Sequence, residues 1–93
     1  MREQIPFGAA QVLPGEILAD EFLKPLMPSQ RGLARRMGIN PMRISGIIRG
    51  QRAITADTAL RLADVFGTSA RFWMNLQANH DLALAAVVYR KVA

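Results

Sequence analysis

The chain has 93 residues, of which 51% are hydrophobic, and its 12 lysines and arginines outnumber its 7 aspartates and glutamates to give a net charge of +5. That length fits one domain with a modest core, and the hydrophobic content is too high for a disordered chain. The absence of cysteine excludes a disulfide scaffold and a thiolate metal site. Residues 1–6 lack the apolar stretch of a signal peptide, and the longest apolar run, residues 82–89, is far shorter than the roughly 20 residues that cross a bilayer. We therefore expect an intracellular protein with no membrane partner.

The spacing of apolar residues, glycines and prolines predicts short helices and no strands. Residues 1–13 are weakly patterned and are expected to form an extended arm, which leaves residues 14–93 as one domain. A first helix is predicted from Pro14, a residue that suits the first helical position, to Lys24, because Pro25 should end it. Its inward-facing positions, spaced by four, are expected to be Leu18, Phe22 and Leu26.

The middle of the chain predicts two short helices joined by a very tight turn. Ser29 is expected to cap the first of them, which ends at Gly38, a residue that adopts the left-handed backbone conformation without strain. Asn40 then caps a helix that has Pro41 at its first position and ends at Gly50. The link between the two helices is so short that they must cross steeply.

Two further helices complete the predicted domain. Thr55 should cap a fourth helix that Gly67 stops, and a longer last helix should cover about residues 69–90. The result is an all-α domain of five helices. The residues expected to point into its core after the first helix are Leu33, Ala34, Met37, Ile44, Ile47, Ile48, Ala59, Leu62, Ala63, Phe66, Phe72, Trp73 and Leu76.

Positive charge is concentrated in the middle of the chain, since residues 22–56 contain basic residues and no acidic one. This distribution is typical of a surface that meets a polyanion, although a solvated basic face fits the charge alone equally well. The basic residues of this window are Lys24, Arg31, Arg35, Arg36, Arg43, Arg49 and Arg52.

The predicted third helix has two different faces. Arginine can donate two hydrogen bonds at once to the O6 and N7 atoms of guanine, so a short helix that offers arginine outward suits the major groove of DNA. Gln30, at the start of the preceding helix, is well placed to hold a phosphate. The alternative is a helical hairpin in an unrelated bundle, whose arginines are merely solvated. Ile44, Ile47 and Ile48 are expected to face the core, and Met42, Arg43, Gly46 and Arg49 to face outward.

Three motifs carry a resemblance to a known family. Residues 29–38, Ser-Gln-Arg-Gly-Leu-Ala-Arg-Arg-Met-Gly, resemble the first half of the helix-turn-helix of phage repressors. The blocks Thr-Ala-Asp-Thr-Ala-Leu-Arg-Leu-Ala at residues 55–63 and Phe-Trp-Met-Asn-Leu-Gln at residues 72–77 resemble, more specifically, the HigA-type antitoxins of bacterial toxin–antitoxin modules. The resemblance covers about residues 12–82.

The resemblance implies a lambda-repressor-like fold with a long C-terminal helix. It also implies a homodimer that binds a palindromic operator in double-stranded DNA, represses its own operon and neutralises a small ribonuclease toxin. Such a protein acts in the bacterial cytoplasm and associates with the nucleoid when it is bound to DNA.

The same resemblance assigns DNA contacts to individual residues. It places Gln30 at the phosphate-anchoring position. Because most of the base-facing positions have no side-chain hydrogen-bond donor, base recognition should depend largely on Arg43, with Met42 touching a thymine methyl group at most. The base-facing positions are Asn40, Pro41, Met42, Arg43 and Gly46.

Three more observations concern the predicted third helix and the loop after it. Arg49 lies on the outward face and is included among the DNA-contacting residues, and Arg52, in the loop, is expected to position the protein on the phosphate backbone. Glycine inside a helix costs about 1 kcal/mol relative to alanine. Gly46 therefore suggests the close approach of another backbone, either that of the preceding helix or that of the DNA.

We expect no enzymatic activity, metal site or cofactor. The one histidine, His80, is next to Asp81 on a predicted helix, where adjacent side chains do not face each other. No glycine-rich phosphate loop and no zinc-ligand spacing occurs. Two other functions remain open: a free-standing phage-like repressor without a toxin, and a protein-interaction module whose basic face meets an acidic partner.

The apolar residues 82–89 of the last helix predict a dimer interface, because a helix that is apolar on all sides must be covered on all sides. The domain itself can cover only one of those sides. The alternative is that residues 87–89 leave the helix as a short extended tail. The residues expected in the interface are Leu82, Leu84, Val87 and Val88.

Glu16, Asp20 and Glu21 form an acidic cluster next to the basic middle of the chain. A toxin that cuts RNA is expected to be basic where it holds its substrate, so these residues are candidates for binding it. The alternative is that the acids only complement the positive end of the first helix, which fits Glu16 best because it lies in the first turn.

Overall fold

The computed structural model describes residues 13–26 and 29–92, and these residues form five helices and no strand. Helix α1 has three consecutive parts, of which the middle one is π-helical: Pro14–Ile17, Leu18–Leu23 and Lys24–Leu26. The other helices are α2 (Gln30–Met37), α3 (Pro41–Ile48), α4 (Ala56–Phe66) and α5 (Ala70–Val92). The predicted all-α, five-helix fold is confirmed. Residues 1–12 of the predicted arm lie outside the described residues.

Side-chain caps fix the starts of three of these helices. Ser29 Oγ accepts the N–H of Gly32 at 2.9 Å, and Asn40 Oδ1 accepts the N–H of Met42 at 2.8 Å. Thr55 caps α4 in the same way. Such caps satisfy N–H groups that have no partner inside the helix. The helix starts predicted at these three residues are confirmed.

Gly38 makes the tight turn between α2 and α3 possible. Its φ is 71°, in the left-handed region, and its N–H donates to backbone carbonyls of α2. A residue with a Cβ atom is strained there, whereas glycine is not. The short link predicted between the two central helices is confirmed, and it fixes how α3 leaves the end of α2.

The core is centred on Trp73, which is fully buried in α5. Its ring centroid lies 4.9 Å from that of Phe22 in α1 and 5.1 Å from that of Phe72. Phe66, at the end of α4, lies 5.1 Å from Phe22. The indole Nε1 donates to Thr68 Oγ1 at 2.6 Å, so its polar atom has a partner. One aromatic cluster therefore joins α1, α4 and α5.

Helix α1 differs from its prediction in its second half. The N–H of Lys24 donates to the carbonyl of Ala19, five residues earlier, as in a π-helix. This wide turn comes directly before Pro25, whose ring clashes with the carbonyl four residues earlier in a regular α-helix. The widening shifts the inward face by one residue, so Leu23 is buried and Leu26 is 60% exposed. The predictions that Leu26 is in the core and that the helix ends at Lys24 were wrong.

The start of α1 packs directly against the end of α3. A Cβ atom added to Gly15 would lie 2.1 Å from the backbone oxygen of Ile47. Only glycine allows the two backbones to approach this closely. Leu13, just before α1, packs against Gly50, just after α3. Helix α1 therefore holds the C-terminal end of α3 in place.

Helix α5 is the longest element and extends to Val92. Its first half carries the buried residues Phe72, Trp73 and Leu76, whereas large apolar side chains are exposed from Leu82 onward. The alternative that residues 87–89 form an extended tail was wrong, because they are helical. In the part of the chain that the structure describes, no helix is long and apolar enough to cross a membrane.

Candidate nucleic-acid interface

Helix α3 is anchored by its isoleucines. Ile44 and Ile47 are fully buried, and Ile48 is half-buried against the same core. The opposite, N-terminal part of the helix is open: Pro41 is exposed, and 68% of Met42 is exposed. The predictions that the isoleucines face inward and that Met42 faces outward are confirmed. The prediction that Gly46 faces outward was wrong, because Gly46 is buried.

Gln30 and Asn40 lie at the starts of α2 and α3, and both are exposed. The side-chain oxygen of Asn40 accepts the N–H of Met42, so this oxygen is occupied by the cap. The amide nitrogen of the same side chain carries two donors that can face outward. Donors of this kind suit phosphate oxygens and base acceptors equally.

The sequence predicted that Arg43 extends outward from α3, but in the structure its side chain contacts α4. Its side chain is 33% exposed, and its Nη1 donates to Asp57 Oδ2 at 2.9 Å and to Thr58 Oγ1 at 3.3 Å. Both acceptors belong to the first turns of α4, so the guanidinium lies along the boundary between α3 and α4. Among the described residues, its Nε and Nη2 donors have no acceptor, so they remain for other partners.

Asp57 and Arg61 are site residues that the sequence interpretation missed. Asp57 Oδ2 also accepts from Arg61 Nε at 3.0 Å, and Arg61 Nη1 donates to the carbonyl of Met37 at 2.7 Å. The network therefore ties the end of α2, through α4, to Arg43 on α3. The spacing of four between Asp57 and Arg61 is a sequence signal for their ion pair, but nothing in the sequence links that pair to Arg43 or to Met37.

Gly46 and Arg52 are in contact with each other. A Cβ atom on Gly46 would lie 2.9 Å from Cγ and Cδ of Arg52, and Gly46 is buried. The expectation that the backbone of α2 approaches Gly46 was wrong, because the neighbour is the Arg52 side chain. The expectation that a DNA backbone approaches it stays a prediction. A base contact by Gly46 requires Arg52 to move away, and the DNA-binding role of Gly46 stays a prediction.

The remaining arginines lie near the end of α3. Arg49 donates to Ser45 Oγ, and its Nη2 donates to Gln51 Oε1 at 3.2 Å. Arg52 and Arg43 line the same open cleft, of about 430 Å³, between the loop after α3 and the start of α4. The structure thus brings two of the predicted DNA-contacting arginines together.

The predicted acidic cluster on α1 is already partly engaged. Glu16 Oε1 accepts the N–H of Leu13 at 3.1 Å, which is a local cap of the helix start. Asp20 Oδ1 lies 3.2 Å from Lys24 Nζ, and both side chains are exposed. Glu21 is half-buried. The capping alternative therefore describes Glu16, whereas Asp20 lies on open surface.

The predicted interface residues on α5 are all more than half exposed in the single chain: Leu82, Leu84, Val87 and Val88.

No three side chains of histidine, aspartate or glutamate within residues 13–26 and 29–92 are grouped as a metal site requires.

Two short helices are joined by a glycine turn and followed by a cleft lined with arginines, and these features define a helix-turn-helix domain. The chain belongs to the helix-turn-helix family, whose pattern matches residues 21–73. The fold is that of the lambda-repressor-like domains, as expected.

Several relatives are similar along most of their length. Virulence-associated protein I of Dichelobacter nodosus is 51% identical over 84 residues, which covers 87% of this chain and 78% of that protein. The structure described as Pseudomonas aeruginosa antitoxin HigA with higBA promoter has 46% identity and a TM-score of 0.83, with 87% of this chain and 88% of that chain covered. An addiction module antidote protein of the HigA family from Coxiella burnetii has 44% identity and a TM-score of 0.81, with 87% and 88% covered. The resemblance to HigA-type antitoxins is confirmed.

Proposed function

We propose that this protein is an operator-binding antitoxin that represses its own operon and neutralises a small ribonuclease toxin in the bacterial cytoplasm. The observation that carries the proposal is the open N-terminal turn of α3 beside the cleft with Arg43 and Arg52. The similarity to Pseudomonas aeruginosa antitoxin HigA, whose structure is that of the protein with the higBA promoter, supports the same role. An arginine-lined helix-turn-helix is suited to the major groove, where every base pair presents a different pattern of donors and acceptors.

The proposed contacts divide into those that position the protein and those that distinguish bases. Gln30 binds a phosphate together with the free backbone N–H groups at the start of α2. Arg43 donates to guanine, and Met42 packs against a thymine methyl group. The positioning set is completed by Arg49 and Arg52, and Asn40, Pro41 and Gly46 line the base-facing turn.

A two-fold dimer is part of the proposal. The exposed apolar side chains on the second half of α5 give an extended surface that water covers in the single chain. Two copies that pair through this surface present two copies of α3 to one DNA duplex. Recognition helices about 34–36 Å apart match successive major grooves on one side of a palindrome.

The toxin is proposed to bind the exposed acidic side of α1 and not the open N-terminal turn of α3. Asp20 and Glu21 offer carboxylates to a basic, RNA-binding surface, and such complementarity raises the rate of association. Glu16 contributes less, because its carboxylate already caps the helix start. Neutralisation and DNA binding therefore use different faces of the domain.

A binding experiment tests the DNA-binding part of the proposal. A duplex selected from a random-sequence library by the purified protein is compared with a scrambled duplex of equal length, over a series of salt concentrations. The selected duplex should bind on the order of a thousand-fold more tightly or better, and both affinities should fall steeply with salt. Equal affinity for the two duplexes, or an affinity that salt does not change, contradicts sequence-specific DNA binding.

A growth experiment tests the antitoxin part separately. The neighbouring reading frame is expressed with the wild-type chain, with Arg43→Ala, and with the double charge reversal Asp20→Lys and Glu21→Lys. Wild type and Arg43→Ala should both restore growth, whereas the charge reversal should not. Operator binding without any rescue by the wild-type chain would identify a free-standing repressor instead. Full rescue by the charge reversal would exclude α1 as the toxin-binding surface.

A further inference from the structure

We propose that Asp57 is a positioning residue that holds Arg43 for base recognition and so determines how strongly the protein discriminates between sequences. This inference rests on the proposed DNA-binding function. Asp57 is exposed, lies in the first turn of α4, and follows directly after the acid-free residues 22–56.

The geometry restrains the arginine at one of its terminal nitrogens. Nη1 of Arg43 donates both to the carboxylate of Asp57 and to the hydroxyl of Thr58, which is 1% exposed and cannot move freely. Two acceptors on one nitrogen fix the plane of the guanidinium. The Nε and Nη2 donors then point away from α4, which leaves two donors for the two acceptors of a guanine edge.

The carboxylate that holds Arg43 is itself held from the other side. The same Asp57 oxygen accepts from Arg61 Nε at 3.0 Å, and Arg61 is anchored on the Met37 carbonyl at 2.7 Å. The contact with Arg61 therefore restrains the Asp57 carboxylate, so that it does not move together with Arg43. A side chain that is ordered before binding loses less conformational entropy when it meets its base, and an arginine fixed in one orientation is less adaptable to a wrong base.

The charge of Asp57 acts differently from its position. A carboxylate at the edge of a basic DNA-binding surface repels phosphates of every sequence alike, so it lowers the affinity for both duplexes and leaves the ratio of the two affinities unchanged. Specificity is a difference of affinities. The ratio is therefore expected to report the positioning of Arg43 and not the charge of Asp57.

The test compares Asp57→Asn with Asp64→Asn, a matched control that removes the same charge from the same helix at an exposed position. Each variant is titrated with the duplex selected by the wild-type protein and with its scrambled counterpart. For Asp57→Asn, the ratio of the two dissociation constants should fall about tenfold per half-site, because a good bidentate contact is worth about that factor. For Asp64→Asn, the ratio should stay unchanged. An unchanged ratio for Asp57→Asn overturns the proposal.

Two further variants separate positioning from charge and from folding. Asp57→Glu keeps the charge but moves the carboxylate, so the ratio should still fall; a ratio equal to wild type contradicts positioning. In Arg43→Ala, adding Asp57→Asn should change the ratio no further, because a coupled pair is not additive. Additive losses would mean that Asp57 acts without Arg43. If the wild-type protein selects no duplex at all, the proposed function fails, which is a different result from an unchanged ratio in the variants.

Discussion

Helix α3 and the second half of α5 differ in how they are held. Around α3, the backbone of α1 approaches at Gly15, two isoleucines are buried, and α4 contributes polar contacts to Arg43. Along the second half of α5, leucine and valine side chains remain exposed in the single chain. A helix that must present side chains to DNA in one orientation is fixed from several sides, whereas a helix that is proposed to form an interface keeps its apolar surface open for a partner.

The largest expected effect compares the same substitution on the two halves of α5. Leu76 is 4% exposed and Leu84 is 56% exposed. Leu76→Ala should lower the free energy of unfolding by about 2–5 kcal/mol, because it leaves a cavity in the core. Leu84→Ala should leave the secondary structure intact and weaken the dimer.

Chemical denaturation at several protein concentrations, with sedimentation, measures both effects. Dimerisation stabilises the folded chain only at concentrations above the dissociation constant of the dimer, so the loss caused by Leu84→Ala should shrink as the protein is diluted. The loss caused by Leu76→Ala should not shrink in this way, because it arises inside one chain. Equal losses for the two variants at every concentration would mean that the two halves of α5 do not differ in the proposed way.

The next effect concerns the contact between α1 and α3. In Gly15→Ala the new Cβ atom would lie 2.1 Å from a backbone oxygen, which a change of rotamer cannot relieve. The free energy of unfolding should fall by about 1–3 kcal/mol or more. Gly32→Ala is the control, since its Cβ meets only a serine side chain, at 3.2 Å. Thermal unfolding that gives the same midpoint for the two variants contradicts the close packing of α1 on α3.

A smaller effect is expected at the start of α2. Ser29→Ala removes the acceptor of the Gly32 N–H and should cost about 1 kcal/mol of stability. Ser29→Asn keeps an acceptor and should cost little. The midpoints of urea denaturation measure both variants, and an equal loss in the two would show that the hydrogen bond does not stabilise the helix.

The smallest effect is expected for the acidic surface of α1. Asp20 and Lys24, which lie four residues apart on α1, form an exposed ion pair. A pair of this kind contributes about 0.3–0.5 kcal/mol to the free energy of unfolding. Asp20→Asn should therefore barely change the unfolding midpoint, while it weakens toxin binding in a pull-down at low salt. A large fall of the midpoint would assign Asp20 to the fold instead of to a partner.

The sequence predicted those features that depend on neighbours close in the chain. The caps at Ser29, Asn40 and Thr55 and the turn at Gly38 follow from residue types and spacing, and all four are confirmed. The exposure of Leu26 could not be predicted, because the shift of the inward face by one residue arises from a π-helical turn that the periodicity does not reveal.

The orientation of Arg43 could not be predicted for a different reason. Its partner, Asp57, is 14 residues away on another helix, so the contact exists only once α3 and α4 are packed. The same holds for the space beside Gly46, which is filled by the side chain of Arg52 from the following loop. Local patterns identified the helix that is proposed to face DNA, whereas the orientation of its side chains depends on tertiary contacts.

The most direct test of the account is competition binding by the wild-type protein, Arg43→Ala and Arg52→Ala, with the selected and scrambled duplexes, at several salt concentrations. Arg43→Ala should reduce the difference in binding free energy between the duplexes by about 1–3 kcal/mol per half-site. Arg52→Ala should weaken both duplexes alike and reduce the slope of log affinity against log salt by about one. Full discrimination by Arg43→Ala would contradict the central claim that α3 recognises bases through Arg43.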